Sequence, residues 1–211
     1  MDEIIQGSDE WKAIRCGKVT ASRVADVIAK TKTGWGASRA NYMAELIAER
    51  LTKTPAEHFT NAAMAWGTEK EPLARVAYEY IHDADVRLVG FVPHPRIEFS
   101  GASPDGLIGD DGLIEIKCPN TATHLETLLG QTVPGKYVTQ MQWQMACTGR
   151  LYCDFVSFDP RMPEHMQLFV SRVRRDGGLI PQLETMVREF LNELDDKLAN
   201  LNRIYGQRAA A

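Results

Sequence analysis

The spacing of hydrophobic and polar positions changes three times along the 211 residues. In "SDEWKAIRCGKVTASRVADVIA" (8–29) it predicts two short helices, with Ser8 placed to cap the first and Thr20 or Ser22 the second. "KTKTGWGAS" (30–38) is read as a loop from its glycines and polar residues. Tyr42, Leu46, Ile47 and Leu51 recur close to the helical period and predict a helix over 38–52. A further helix is expected from about Asn61 to His82, bent or broken at Pro72.

The rhythm then shortens. "VRLVGFVPHPRIEFSGASPDGLIGDDGLIEIKCP" (86–119) is dense in β-branched and aromatic residues between Gly, Pro and Asp, and predicts a meander of three or four strands. "GKYVTQMQWQMACTG" (135–149) does not alternate cleanly and is read as a helix, followed by strands in "LYCDFVSFD" and "MQLFVSRVRR". Leu183, Met186, Val187, Phe190, Leu191, Leu194, Leu198 and Leu201 form one apolar stripe on a long closing helix. The expected architecture is a single α/β (α+β) domain over 1–211, with a mixed central β-sheet flanked by helices.

Composition adds constraints. The apolar share of 44% and charged share of 25% are those of an average globular chain. No apolar run approaches the roughly 18–20 residues of a membrane span. The opening "MDEIIQGSDEW" lacks the basic and apolar regions of a signal peptide. Cys16, Cys118, Cys147 and Cys153 form neither a CxxC pair nor a zinc-finger spacing, as expected of reduced thiols in a cytoplasmic protein. The net charge of −4 argues against nucleic acid, but the charge is unevenly distributed. Residues 12–39 carry Lys12, Arg15, Lys18, Arg23, Lys30, Lys32 and Arg39 against Asp26 alone, whereas 176–196 carry six acids against Arg188. One end can face phosphates while the other stays solvated.

The candidate chemistry lies in "SPDGLIGDDGLIEIKCP" (103–119). An Asp, a variable gap and Glu-x-Lys arise by chance about once in a chain of this length, and Pro104 before Asp105 cuts that expectation roughly twentyfold. Leu113, Ile114 and Ile116 around Glu115 place the Glu-x-Lys on a strand, where Glu115 and Lys117 share a face and the isoleucines point to the core. The "GDDG" turn folds that strand back toward Asp105. Two readings follow. Asp105, Glu115 and the Ile116 carbonyl suit Mg²⁺ or Mn²⁺, one or two ions, with Lys117 as a base or an electrostatic aid. Alternatively, the stretch is a surface hairpin with an ordinary Glu–Lys pair.

These residues resemble the PD-(D/E)xK nuclease superfamily. With "WKAIRCGKVTAS" (11–22), "AMAWGTEKEPLA" (63–74), "YVTQMQWQM" (137–145) and "FDPRM" (158–162), the chain resembles the phage lambda exonuclease, or YqaJ-type viral recombinase, family more specifically. The resemblance implies a restriction-endonuclease-like core and a Mg²⁺-dependent 5′→3′ exonuclease on linear double-stranded DNA. It releases mononucleotides and leaves 3′ single-stranded tails. It implies a homotrimeric ring, with the basic segment lining a channel and the acidic helix on its rim. It also implies a single-strand annealing protein as partner in phage recombination, and a phage or prophage origin.

Carried over by motif, Glu71 completes the metal site, with Glu69 as its rival in "GTEKEP". Arg15 binds the 5′-terminal phosphate, with Ser22, Ser103 and Gln140 as hydrogen-bonding companions. Each companion has an ordinary alternative: Ser22 a helix cap, Ser103 a turn residue, Gln140 a solvated helical face. Met64 either wedges between bases or packs in the core. Trp35, between glycines in the basic loop, is a candidate DNA contact, while Trp11 and Trp66 are read as core or subunit-contact residues. The rival functions are a structure-specific or restriction-type endonuclease of the same fold, and a non-catalytic DNA-end-binding recombination protein.

Overall fold

The computed structural model describes residues 4–32, 34–56 and 61–206. The first three residues and the C-terminal alanine tail lie outside them. Ser8 caps α1 (Asp9–Arg15) as expected, its side chain accepting from Trp11 N. The second expected helix is only partly helical. Val19–Thr20 forms a strand, β1, followed by a 3-10 turn (Ala21–Arg23) and a single turn of helix, α2 (Val24–Val27). The reason is competition for the backbone. β1 pairs in parallel with β6 (Ser100–Ala102), and Thr20 makes no side-chain cap.

The expected loop over 30–38 contains a short hairpin, β2 (Lys30–Thr31) with β3 (Gly34–Trp35), in which Lys30 opposes Trp35. α3 (Ala37–Thr52) agrees with expectation. α4 (Ala62–His82) runs unbroken through Pro72. Its Ala74 and Tyr78 are buried against the sheet, and this packing outweighs the one hydrogen bond a helical proline removes.

The meander resolves into two sheets. β4 (Val86–Arg87), β7 (Gly106–Ile108) and β8 (Gly112–Lys117) join β9 (Tyr152–Phe158) and β10 (Leu168–Arg174) in the order β10-β9-β8-β7-β4. Within this sheet β8 and β9 pair in parallel and the other neighbours antiparallel, so the central sheet is mixed as expected. β5 (Val92–Pro93) pairs instead with β6 and β1 in a small second sheet. α5 (Thr121–Gly130), α6 (Gly135–Thr148) and the long α7 (Leu179–Tyr205) complete the chain.

Three apolar clusters hold these layers together. Ala74 and Tyr78 of α4 cover one sheet face, at Ile114, Ile116, Val156 and Phe158. Met141 and Met145 of α6 cover the other, at Leu113, Cys153 and Phe155. Trp143, on the far side of α6, packs with Tyr42, Leu46, Phe190 and Leu194 in a helical cluster. β8 is therefore buried on both faces, not on one. The acidic run is corrected as well: it is no isolated wet rim. Glu193 and Asp195 of α7 pair with Arg39 and Arg50 of α3, and Glu184 pairs with Arg96. Arg39 of the basic segment is thus paired with the acidic helix, whose packing on α3 rests on the apolar cluster of Tyr42, Leu46, Phe190 and Leu194.

Gly106, directly after Asp105, is fixed by close approach. A Cβ there would lie 2.2 Å from Val86 Cγ1 and 3.1 Å from Ile114 Cγ2. Gly106→Ala is therefore expected to lower the free energy of unfolding by about 1–3 kcal/mol. A shifted urea midpoint with an unchanged slope checks this.

Candidate active site

The short connection Ser103-Pro104-Asp105 passes from the small sheet into the central one, leaving β6 and entering β7. Gly106 pairs with Ile114, so Asp105 continues the antiparallel ladder opposite Glu115. Asp105 Oδ2 accepts a 2.6 Å hydrogen bond from the Ile116 amide, which ties the turn to the middle of the neighbouring strand. Its Oδ1 carries no hydrogen bond among the described residues. The sequence brings Asp105, Glu115 and Lys117 together because the "GDDG" turn sets this register.

Glu115 is 0% exposed. One oxygen, Oε1, accepts from Gln140 Nε2 at 2.6 Å and is ion-paired with Lys117. The other, Oε2, accepts from Gln144 Nε2 at 2.6 Å. Gln140 is thus not on a solvated face; its amide is turned toward the carboxylate. Lys117, at the end of β8, lies 5.3 Å from the Tyr137 ring centre. Gln144 was not anticipated. The only signal for it is a glutamine one helical turn after Gln140, on a helix whose other buried residues are apolar apart from Gln142.

The electrostatics of the cluster are lopsided. Burial raises the proton affinity of Asp105 well above the ordinary carboxylate range, and Glu115 and Glu71 raise it further against the opposing pull of Lys117. Glu71 is also raised, first by burial and then by Glu115, while Lys117 and Arg75 hold it back. Burial disfavours charge on Lys117, but Glu115 and Asp105 outweigh it and the ammonium is held more tightly than usual. Burial pushes the Cys118 thiol up to about 12, helped by Glu71 and Asp105, so it is no nucleophile. Among the described residues no three His, Cys, Asp or Glu side chains close into a metal cluster. Glu71 stands within electrostatic reach of Glu115 and Lys117 without being gathered into a ligand set. Its rival Glu69 is exposed and paired with Lys70.

A second group adjoins the first through Ser103. Ser103 Oγ accepts a 2.9 Å hydrogen bond from Trp11 Nε1, and the Arg15 guanidinium lies 3.7 Å above the Trp11 ring. Trp11 is therefore neither buried core nor free surface but the support for Arg15. No hydrogen bond or ion pair engages the Arg15 guanidinium among the described residues. Gly17, next along, has φ +72° and is gripped by α3: its N–H donates to Glu49 Oε2 at 2.6 Å, and its carbonyl accepts from Arg50 at 2.8 Å. Ser22 is exposed, its hydroxyl 3.5 Å from Thr20 Oγ1, in the 3-10 turn that packs on β6 and α6.

The remaining candidates lie farther out. Met64 is 50% exposed in the first turn of α4, which removes the core alternative for it. Trp66 is half-buried against the α4 face of the sheet, with Lys70 and Arg161 over its ring. Trp35 is 46% exposed at the hairpin, flanked by Lys30 and by Arg39.

The profile of the YqaJ-like viral recombinase domain matches residues 10–151, well over half of the chain. The chain belongs to this family. Among solved structures, it is similar to LHK-Exo, an alkaline exonuclease from Laribacter hongkongensis, at 54% identity and a TM-score of 0.89. The match covers 95% of this chain and 99% of that one. LHK-Exo has also been solved in complex with dAMP, with a TM-score of 0.90. A phage-related exonuclease from Haemophilus somnus 129PT shares the fold at 16% identity and a TM-score of 0.72, over 90% of this chain and 99% of its own. The uncharacterised protein ExoD of Escherichia coli (strain K12) is 26% identical over 77 residues, 36% of this chain and 87% of its own length. The expected fold class, a mixed sheet flanked by helices, is that of the alkaline exonuclease.

The raised affinity of Asp105 has a measurable consequence in EDTA. An acid that binds its proton more tightly when folded stabilises the fold at low pH. That contribution is lost as pH rises from the ordinary value, 3.8, toward the folded one. Asp105→Asn keeps an acceptor for the Ile116 amide without the charge. It is expected to melt above the parent protein at pH 7 and level with it below pH 3.8. Melting curves across that pH range decide it.

Proposed function

We propose that the protein is a divalent-metal-dependent 5′→3′ exonuclease of linear double-stranded DNA, releasing 5′-mononucleotides and leaving 3′ single-stranded tails. The observation that carries this reading is the joining of two groups by one connection. Asp105, facing Glu115 and Lys117, and Ser103, which holds Trp11 beneath Arg15, are separated only by Pro104. A cutting centre and a free guanidinium on the same three-residue step suit a reaction at a phosphorylated end. The alkaline exonuclease activity of LHK-Exo, and its binding of dAMP, support the same reading.

The donor set fits a hard dication. Asp105 Oδ1, Glu115 Oε2 and the Ile116 carbonyl are all oxygen ligands. The acids outnumber the cations facing them, so that Asp105 is driven toward protonation. Glu71 is the acid available to complete the set. When bound, Mg²⁺ or Mn²⁺ would polarise the scissile phosphate and acidify a water molecule. Lys117, which keeps its proton more tightly than usual, holds that water and offsets charge on the phosphate oxygens; this favours the electrostatic role over that of a base.

Arg15 meets the 5′-phosphate with two parallel N–H bonds, a geometry its planar fork allows and a lysine's does not. Its stacking on Trp11 fixes the plane of that fork. Ser22 and Ser103 add hydroxyl donors, and Gln140 has a second amide hydrogen to offer. Met64 and Trp35 are exposed where an unpaired base or a groove can be touched. The setting suggested by the family is a homotrimeric ring, in the cytoplasm of a bacterial host, working with a single-strand annealing protein. No helix among the described residues is long and apolar enough to cross a membrane.

The test is digestion of a linear duplex with and without Mg²⁺, set beside a closed circle. The linear 5′-phosphorylated duplex is expected to be degraded and the circle to survive; cutting of the circle at similar speed would favour an endonuclease. Lys117→Ala should reduce turnover roughly 10²- to 10⁴-fold while DNA binding persists. Unaltered digestion by Lys117→Ala would remove Lys117 from the mechanism. Arg15→Ala should lose most of the preference for a 5′-phosphate over a 5′-hydroxyl end, read as the ratio of kcat/KM values.

A further inference from the structure

We propose that Gln144 is a positioning residue for the reaction, holding Glu115 from inside the core and fixing which of its oxygens faces the ion. The proposal rests on the nuclease reading above and extends it to a residue outside the ligand set and the phosphate group.

Gln144 is 0% exposed, on the sheet-facing side of α6 between Met141 and Met145. An amide in that setting is costly unless each end is hydrogen-bonded. Its Nε2 donates to Glu115 Oε2 at 2.6 Å, and its Oε1 lies 3.9 Å from the Cys153 thiol, a weak donor. The carbonyl end cannot face Glu115, since two acceptors would then repel. The amide is therefore oriented one way, with its N–H on the carboxylate.

Gln140 and Gln144 are four residues apart and project from the same face of α6, one turn above the other. Gln140 donates to Oε1 and Gln144 to Oε2, so the carboxylate is gripped at both oxygens and its terminal torsion is fixed. A carboxylate offers about four lone-pair positions. At Oε1 two are filled, by Gln140 and Lys117. At Oε2 the described residues supply one donor, Gln144. In the proposed arrangement the less engaged oxygen is the one that Gln144 holds, so a dication shared with Asp105 would meet Glu115 through Oε2 while Lys117 keeps Oε1. Without Gln144 the carboxylate is held on one side only, and it can turn toward Lys117 and away from Asp105.

The test uses two variants of the full chain. Gln144→Met keeps the volume and removes the donor; Gln144→Asn keeps an amide too short to reach. Four quantities are read: melting temperature, affinity for 5′-phosphorylated duplex in EDTA, Mn²⁺ affinity by titration calorimetry, and kcat and KM on linear duplex with Mn²⁺. The expected result is near-parental melting and DNA affinity, with Mn²⁺ affinity and kcat each reduced roughly 10- to 100-fold and KM for DNA little changed. A folded variant whose Mn²⁺ affinity and kcat stay within about twofold of the parent overturns the proposal. So does a loss of melting temperature with Mn²⁺ affinity intact, or failure of both variants to fold, since either makes the amide a packing element. If the parent protein neither binds Mn²⁺ nor degrades DNA, the nuclease reading fails and the proposal falls with it. If the parent does both and the variants match it, only the role of Gln144 fails.

Discussion

A carboxylate with no access to water, on a strand covered on both faces, is the constraint to which the rest of the site answers. Glu115 is the middle of β8, and an ionised group there is tolerable only if its lone pairs are met. The protein meets them from two directions. Lys117 comes from the same strand two residues on, and Gln140 and Gln144 come from the helix laid across the sheet. The position of α6 is thus set by Leu113, Cys153 and Phe155 packing on Met141 and Met145, and equally by the need to bring two amides to one carboxylate. The packing and the chemistry constrain each other, because a shift of α6 large enough to relax one would break the other.

The second constraint is the step from the small sheet to the large one. β6 is held by β1 and β5, β7 by β8 and β4, and only Ser103, Pro104 and Asp105 lie between them. Trp11 reaches that step from the first helix and carries Arg15 on its ring. Gly17, clamped by Glu49 and Arg50, turns the chain from that helix into β1. Arg15, proposed to face the phosphate, and Asp105 therefore share a short mechanical path made of hydrogen bonds and a stacked ring. No flexible linker separates them. That economy of distance suits a reaction confined to the last phosphodiester of a strand.

Much of this was legible in the chain. The alternation around Glu115 placed it on a strand with Lys117, the "GDDG" turn brought that strand to Asp105, and the leucine stripe marked α7. The features that escaped share physical reasons. β1, β5 and β6 are two or three residues long, too short for a period to register, so β5 and β6 were hidden within an apparent meander and β1 within a stretch read as helical. The burial of Glu115 depended on α6 lying across β8, a long-range contact that no local pattern encodes. Gln140 and Gln144 look alike in sequence to any polar pair on a helix; only the position of the sheet makes them donors. The acidic run in α7 looked solvated because its partners, Arg39 and Arg50, lie more than a hundred residues away.

A comparison among the buried acids separates structure from chemistry. Asp154 receives the Tyr78 hydroxyl at 2.7 Å and both arms of Arg172 at 2.7 and 2.8 Å, so its negative charge is met within the fold. Asp159 is treated the same way. Burial opposes its charge, yet hydrogen bonds from Arg161 and Thr121 hold its carboxyl down at about 2. The chain clearly can furnish an arginine to a buried aspartate. At Asp105 it furnishes a single backbone amide and the charge of Lys117, which is ion-paired with Glu115, and adds two more acids nearby, Glu115 and Glu71. An arrangement that stabilised only the fold would have no use for such an imbalance. Under the proposed nuclease reading it becomes favourable when a cation arrives from outside the chain, and the oxygens proposed to meet it are Glu115 Oε2 and Asp105 Oδ1, the latter accepting no hydrogen bond among the described residues.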